Sequence, residues 1–161
     1  MSWDVFITKE PIRLGSDDPP NPAPLGSCDS VRTAVAGSLP DTDWSDPTWG
    51  VLDGQGWSIE FNLGTESPVT SLMLHVRGGG NPISAITRLC ADNGWHALDL
   101  AAGNYIDLKA PSDVGWRSFQ GFRDGIVASL EGKARRERML RFLLPVLLTV
   151  LVLALKRLLW H

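Results

Sequence analysis

The chain is poor in cysteine and tyrosine, and it lacks the familiar signatures of nucleotide, metal and nucleophile chemistry. Its two cysteines, Cys28 and Cys90, are too few for a disulfide framework and have no CxxC spacing. They read as small, reduced, apolar residues on helices, and a reducing cytoplasm is their natural compartment. Neither GxGxxG nor GxxxxGK[ST] occurs, which removes the two phosphate-binding fingerprints. DTDWSDPTWG (40–50 with Pro40) carries Asp41, Asp43 and Asp46, but the twelve-residue calcium loop with its terminal Glu is missing. Among three histidines no Ser–His–Asp or Cys–His ordering can be assigned. MSWDVFITKE lacks a basic stretch followed by an apolar one, so no secretory signal is expected. Internal repeats are also absent.

What is present is a division of charge. Residues 1–130 hold 8 Lys and Arg against 16 Asp and Glu, while residues 131–161 hold 7 against 2. An acidic domain repels nucleic acid and attracts basic partners, so a nucleic-acid ligand is not expected. The basic segment suits anionic lipid headgroups. Residues 1–130 suffice for one domain with a sizeable core.

The second outlier is FLLPVLLTVLVLAL at 142–155, an uncharged run. As a helix it covers roughly 21 Å, short of the roughly 30 Å hydrocarbon core. Extension over 139–160 gives about 33 Å, with Arg141, Lys156 and Arg157 near the ends, where long basic side chains can snorkel. The Leu, Val and Phe residues favour insertion by roughly 3–7 kcal/mol together. The run is apolar all round, which disfavours a helix lying flat on a membrane. The expected organisation is therefore an acidic binding domain over 1–130, a basic linker over 131–138 and a C-terminal transmembrane anchor over 139–160. The basic flank KARRER (133–138) places the domain on the cytoplasmic side of the inner membrane, with Lys156 and Arg157 opposing that assignment.

Within the domain, residues 3–7 alternate as a strand, and GSDDPPNPAPLGS (15–27) is a loop. Ser27 caps a helix through Leu39, with Val31, Val35 and Leu39 on one face. Strands are expected over 49–52, 57–63, 69–77, 95–100 and 105–108. Asn81 and Pro82 open a second helix that Asn93-Gly94 closes. A third runs from about Ser112 to Leu130, its inward face formed by Trp116, Phe119, Phe122, Ile126 and Val127. Short turns between consecutive strands demand antiparallel pairing. The fold class is α+β: an antiparallel sheet of about five to six strands with three helices on one face, plus a C-terminal hydrophobic helix.

Three clusters are candidates for function. Strand parity puts Glu60, Asn62, His75 and Arg77 on one side of the sheet, as a solvated salt bridge, a partner-binding surface or an acid–base pair. In HVRGGGNP (75–82) three glycines precede a helix and could offer amides to a phosphate, or make a tight connection. Trp44 and Trp49 are either core-edge residues or contact anchors. No catalytic residue, metal ligand or cofactor is assigned.

WSDPTWG (44–50), SIEFN (58–62), LHVRGGG (74–80), NGW (93–95) and FQGFRD (119–124) together resemble a family of small bacterial proteins of unassigned biochemical role. Such proteins are similar to the immunity proteins encoded beside polymorphic secreted toxins, which neutralise a toxin by binding it. The resemblance covers roughly 1–128 and implies contacts at Trp44, Asp46, Asp53, Glu60, His75 and Arg77. It leaves the tail outside. The expectation is a non-enzymatic protein-binding domain for a basic partner such as a toxin, tethered to the inner membrane. The rivals are a small enzyme using Glu60, His75 and Arg77, or His96 and Asp99, and a structural subunit of a membrane complex.

Overall fold

A computed structural model describes residues 1–12 and 22–159, with side chains as far as residue 141. The loop expected over 15–27 thus lies partly outside the described residues. Ten elements follow in chain order: β1 (Trp3–Thr8), α1 (Cys28–Ser38), β2 (Asp43–Asp46), β3 (Trp49–Gly54), β4 (Trp57–Asn62), β5 (Leu72–Gly78), α2 (Ile83–Asn93), β6 (His96–Asp99), β7 (Asn104–Tyr105) and α3 (Val114–Leu159).

Short turns make β2 to β5 sequential neighbours, whereas β1 inserts between β5 and β6, giving the order β2-β3-β4-β5-β1-β6-β7. Every pairing is antiparallel. The fold is α+β. Insertion of β1 into the middle of the sheet follows from its apolar parity. Trp3, Val5 and Ile7 are all buried on the same face as Leu72, Leu74, Val76, Ile59 and Phe61. Each such side chain contributes roughly 1.5–3 kcal/mol by leaving water. Onto that face come Val31 and Val35 of α1, Ile83, Ile86 and Leu89 of α2, and Trp116 of α3, joining one core cluster.

The sheet has seven strands among the described residues, one more than expected. The extra strand is β2, in the segment read as turns. Its four residues are mostly exposed and its register shifts between Asp43 and Asp46. An edge strand with a bulge and no buried alternation leaves no period-two signature to find.

The helix ends agree with their capping chemistry. Ser27 Oγ accepts from Ser30 N at 3.2 Å and opens α1. Asn81 Oδ1 accepts from Ile83 N at 3.1 Å, and Gly94 ends α2 in the left-handed region at φ 63°.

The third helix departs from expectation. It does not end near Leu130 but continues unbroken to Leu159, through the basic stretch. Of its expected inward face, Trp116 is buried and Phe119 packs against the core, whereas Phe122 is 64% and Val127 47% exposed. The chain divides into two compact units, Met1–Gln120 and Gly121–His161; Trp116 and Phe119 belong to the first, and Phe122 and Val127 to the second.

Among the described residues no helix is long and apolar enough to cross a membrane. The uncharged run at 142–155 has a helical backbone, but its side chains lie outside the described ones.

Candidate functional site

Antiparallel strands place alternate residues on opposite faces, so the register defines what shares the face away from the core. Val51 pairs with Glu60, Glu60 with His75, and His75 with Asp4. One rung along, Trp49 pairs with Asn62, Asn62 with Met73, and Met73 with Phe6. All these residues are half-exposed. Thr8 and Leu98 share the face but are buried, so the continuous half-exposed rows lie on β3, β4, β5 and β1, with His96 and Tyr105 half-exposed beyond them. Within the unit Met1–Gln120, the helices supply their buried side chains to the other face.

Two ion pairs order the polar rung. His75 Nδ1 lies 2.8 Å from Asp4 Oδ1, with His75 22% and Asp4 41% exposed. Arg77 pairs with Glu60, which is 20% exposed. The indole of Trp49 stacks on the imidazole, centroids 5.6 Å apart and planes 17° from parallel. A carboxylate can only accept, so Nδ1 carries the proton shared with Asp4. Nε2 is then left with no hydrogen-bond partner among the described residues.

Glu60, Asn62, His75 and Arg77 therefore share one face, as parity indicates. Asp53 lies on it opposite Ser58, and Asp46 is the register partner of Trp49 at the edge. Trp44 does not join them. It sits on the core side, with its ring 6.1 Å from Phe61 and against Gly50. Of the two tryptophans it is Trp49 that lies on the accessible face, with Phe6 on the same row, and Asp4 is an acid there that the sequence reading does not include. Parity along 49, 51, 53 and along 4, 6 divides each strand into two sides but does not say which strands lie together. Only the non-sequential pairing of β1 with β5 brings Asp4 to His75.

Acidic residues near this edge are committed to turns. Asp43 Oδ1 accepts from Ser45 N at 2.9 Å and from Ser45 Oγ at 2.6 Å. Asp46 Oδ1 accepts from Thr48 N at 2.8 Å and from Thr48 Oγ1 at 2.7 Å. The Ser45 hydroxyl, then the Ser45 amide, hold Asp43 below the usual carboxylate range. The Thr48 amide, then its hydroxyl, do the same for Asp46. Among the described residues no group of three or more such side chains is placed to hold a metal ion.

The triple glycine is a packing joint. Gly79 N and Gly80 N both donate to Gly56 O, at 2.6 and 3.0 Å, so these amides are already used. Gly80 O accepts from Trp116 Nε1 at 2.7 Å, and Gly79 O from Gln120 Nε2 at 3.0 Å. The glycines thus seat the β3–β4 turn and the first turns of α3 on the end of β5. A phosphate cradle needs free amides, and here two of them are taken.

The rival pair His96 and Asp99 is separated by the sheet itself, because residues three apart on a strand face opposite ways. Asp99 is buried, and its Oδ1 accepts from Ala101 N and Ala102 N at 2.9 and 3.1 Å. His96 meets Tyr105 edge-on at 6.1 Å. Neither cysteine lies on the accessible face. Cys90 is buried in α2, where desolvation pushes its thiol up to about 12, and Cys28 on α1 donates to Glu66 O at 3.4 Å.

Comparison of the chain with protein-family models, with curated proteins and with solved structures finds no match.

Proposed function

We propose that the chain is a non-enzymatic protein-binding domain of the immunity type, which neutralises a basic toxin by docking it on the accessible sheet face. The supporting observation is the Trp49–His75 stack set between Asp4 and Glu60 on a half-exposed surface. Rigid aromatic groups flanked by carboxylates are what a basic protein surface needs. The rings give desolvated contact area, and the acids steer and orient the approaching cations. Phe6, Val51 and Met73 extend the apolar contact along the same strands. Asp46 and Asp53, both exposed, enlarge the acidic rim. The acidic domain works from the cytoplasmic side of the inner membrane, tethered through the uncharged run at 142–155.

The test begins with the gene neighbourhood. An adjacent gene for a large secreted toxin supplies the probe, its basic C-terminal domain. Calorimetric titration of that domain into the full chain should show tight binding, weakened about tenfold or more by Trp49→Ala. Unchanged affinity in Trp49→Ala and Glu60→Gln would remove this face from the interaction.

The Asp4–His75 hydrogen bond favours one alternative, general-base catalysis through Nε2. Hydrolytic activity abolished by His75→Gln, with toxin binding intact, would decide for that reading.

A further inference from the structure

We infer that residues 133–141 of α3 form a cationic collar for anionic phospholipid headgroups, encircling the helix where it enters the bilayer end-on. This rests on the tethering proposed above and names the chemistry of its membrane-facing side. Lys133, Arg135, Arg136, Arg138 and Arg141 are all exposed, and none forms an ion pair among the described residues. They share the stretch with one acid, Glu137.

Their directions carry the argument. Successive residues of an α-helix turn by about 100°, so the five cations point all round the axis with no gap wider than about 100°. A helix lying flat in the interface collects its cations on one side and its apolar groups on the other. Here there is no such division. Cations on every side suit a helix passing through a headgroup layer, where phosphates surround it completely. The stretch occupies about 12 Å of axis, which matches a headgroup layer of roughly 5–8 Å with the reach of long basic side chains.

The position fits as well. Helical backbone runs without a break from the collar into 142–155, where the sequence carries no charge. A basic segment immediately before an uncharged run places its charges at phosphate level and the run at acyl level. A nucleic-acid ligand would account for the charge but not for that adjacency.

The experiment is flotation of the full chain with phosphatidylcholine vesicles, and with phosphatidylcholine vesicles containing phosphatidylglycerol. Partition should favour the anionic vesicles, and added salt should erode the preference. Each single Lys or Arg to Gln replacement at the five positions should lower the preference by at most about fivefold, and by similar factors whatever its direction on the helix. The five replacements combined, with helicity checked by circular dichroism, should bring the two partitions together.

Equal partition of the unmodified chain into both vesicle types would overturn the collar while leaving the tether standing. Absence from both would remove tether and collar together. Anionic preference without any uptake by neutral vesicles, abolished by the combined replacement, would show headgroup binding without tail insertion and so overturn the end-on collar. A loss confined to Lys133, Arg136 and Arg141, or to Arg135 and Arg138, would show a helix lying flat and defeat the end-on geometry. So would tight binding of a single-stranded oligonucleotide by a chain indifferent to lipid charge.

Discussion

Asp4 Oδ1 and His75 Nδ1 lie 2.8 Å apart, although 71 positions separate them in the chain. They meet because β1 enters the sheet beside β5 in the register Asp4↔His75, with Trp3 and Val5 anchored in the core on either side. The apolar half of β1 thus positions its polar half. Core packing fixes the strand, and the strand delivers the carboxylate to the imidazole.

The first prediction concerns the tautomer this contact selects. With Asp4 accepting from Nδ1, the neutral His75 ring should carry its proton on Nδ1. Nitrogen-15 spectra of labelled protein should show this directly. In Asp4→Ala the ring should revert to the tautomer protonated at Nε2. Stability should fall by less than about 1 kcal/mol, because both partners are partly exposed and the pair is screened. An unchanged tautomer in Asp4→Ala would mean the contact does not orient the ring.

Much of this arrangement is legible in the amino-acid sequence. Period-two alternation in WSIEFNL and in VTSLMLHVR set the faces of β4 and β5, hence the shared side of Glu60, Asn62, His75 and Arg77. Ser27, Asn81 and Gly94 marked helix ends through their capping chemistry. What stayed hidden depends on distant pairing or on the absence of pattern. Asp4 reaches His75 only through a non-sequential neighbour. β2 shows no alternation because almost nothing in it is buried. Trp44 and Trp49 look equivalent in WSDPTWG, and only the bulge and pairing of β2 with β3 send them to opposite faces. Phe122 and Val127 continue the apolar spacing of α3 past the point where core remains to receive them.

The glycine joint yields the second prediction. A Cβ at Gly80 would collide with Gln55 O and approach Trp57 Cδ1, and one at Gly78 would meet Gly56 O in a backbone at φ 96°. Gly79 has open space around its Cβ position. Gly80→Ala should therefore cost about 1–3 kcal/mol in urea unfolding, from overpacking against backbone that cannot move away. Gly78→Ala adds strain to collision and should cost at least as much. Gly79→Ala should stay within about 1 kcal/mol of the parent. Equal costs at Gly79 and Gly80 would show that the packing described for the joint is wrong.

The two aspartates of β2 supply a prediction in pH. Their carboxyls sit lower in the folded chain than the usual 3.8, so the fold favours the ionised form. The contribution is present above that value and is lost as pH falls through the lowered one. Amide protection in the β2–β3 pair should decline on acidification below 3.8, ahead of the core strands. The two sites should respond differently to loss of the hydroxyl. The Ser45 side chain is the larger cause at Asp43, whereas at Asp46 the Thr48 amide leads. Carboxyl carbon-13 titrations should thus show Ser45→Ala moving Asp43 back towards 3.8 further than Thr48→Ala moves Asp46. The reverse ranking would contradict the turn geometry.

The last prediction separates the two tryptophans of WSDPTWG. Trp44 packs on the core side beside Phe61, with the backbone of Gly50 directly beneath its ring. Truncation leaves a gap at the edge of a packed layer that cannot close over Gly50, and Trp44→Ala should cost about 2–4 kcal/mol. Trp49 instead leans across β4 to lie on His75, and its outer face meets solvent. Trp49→Ala forfeits one ring stack and part of its burial, so it should cost about 0.5–1.5 kcal/mol. Partner affinity should divide the opposite way, falling in Trp49→Ala and holding in whatever fraction of Trp44→Ala remains folded. Urea unfolding and calorimetry on the same two variants read both quantities. A Trp44 variant that keeps its stability but loses the partner would move the interaction to the strip of sheet edge next to the helices.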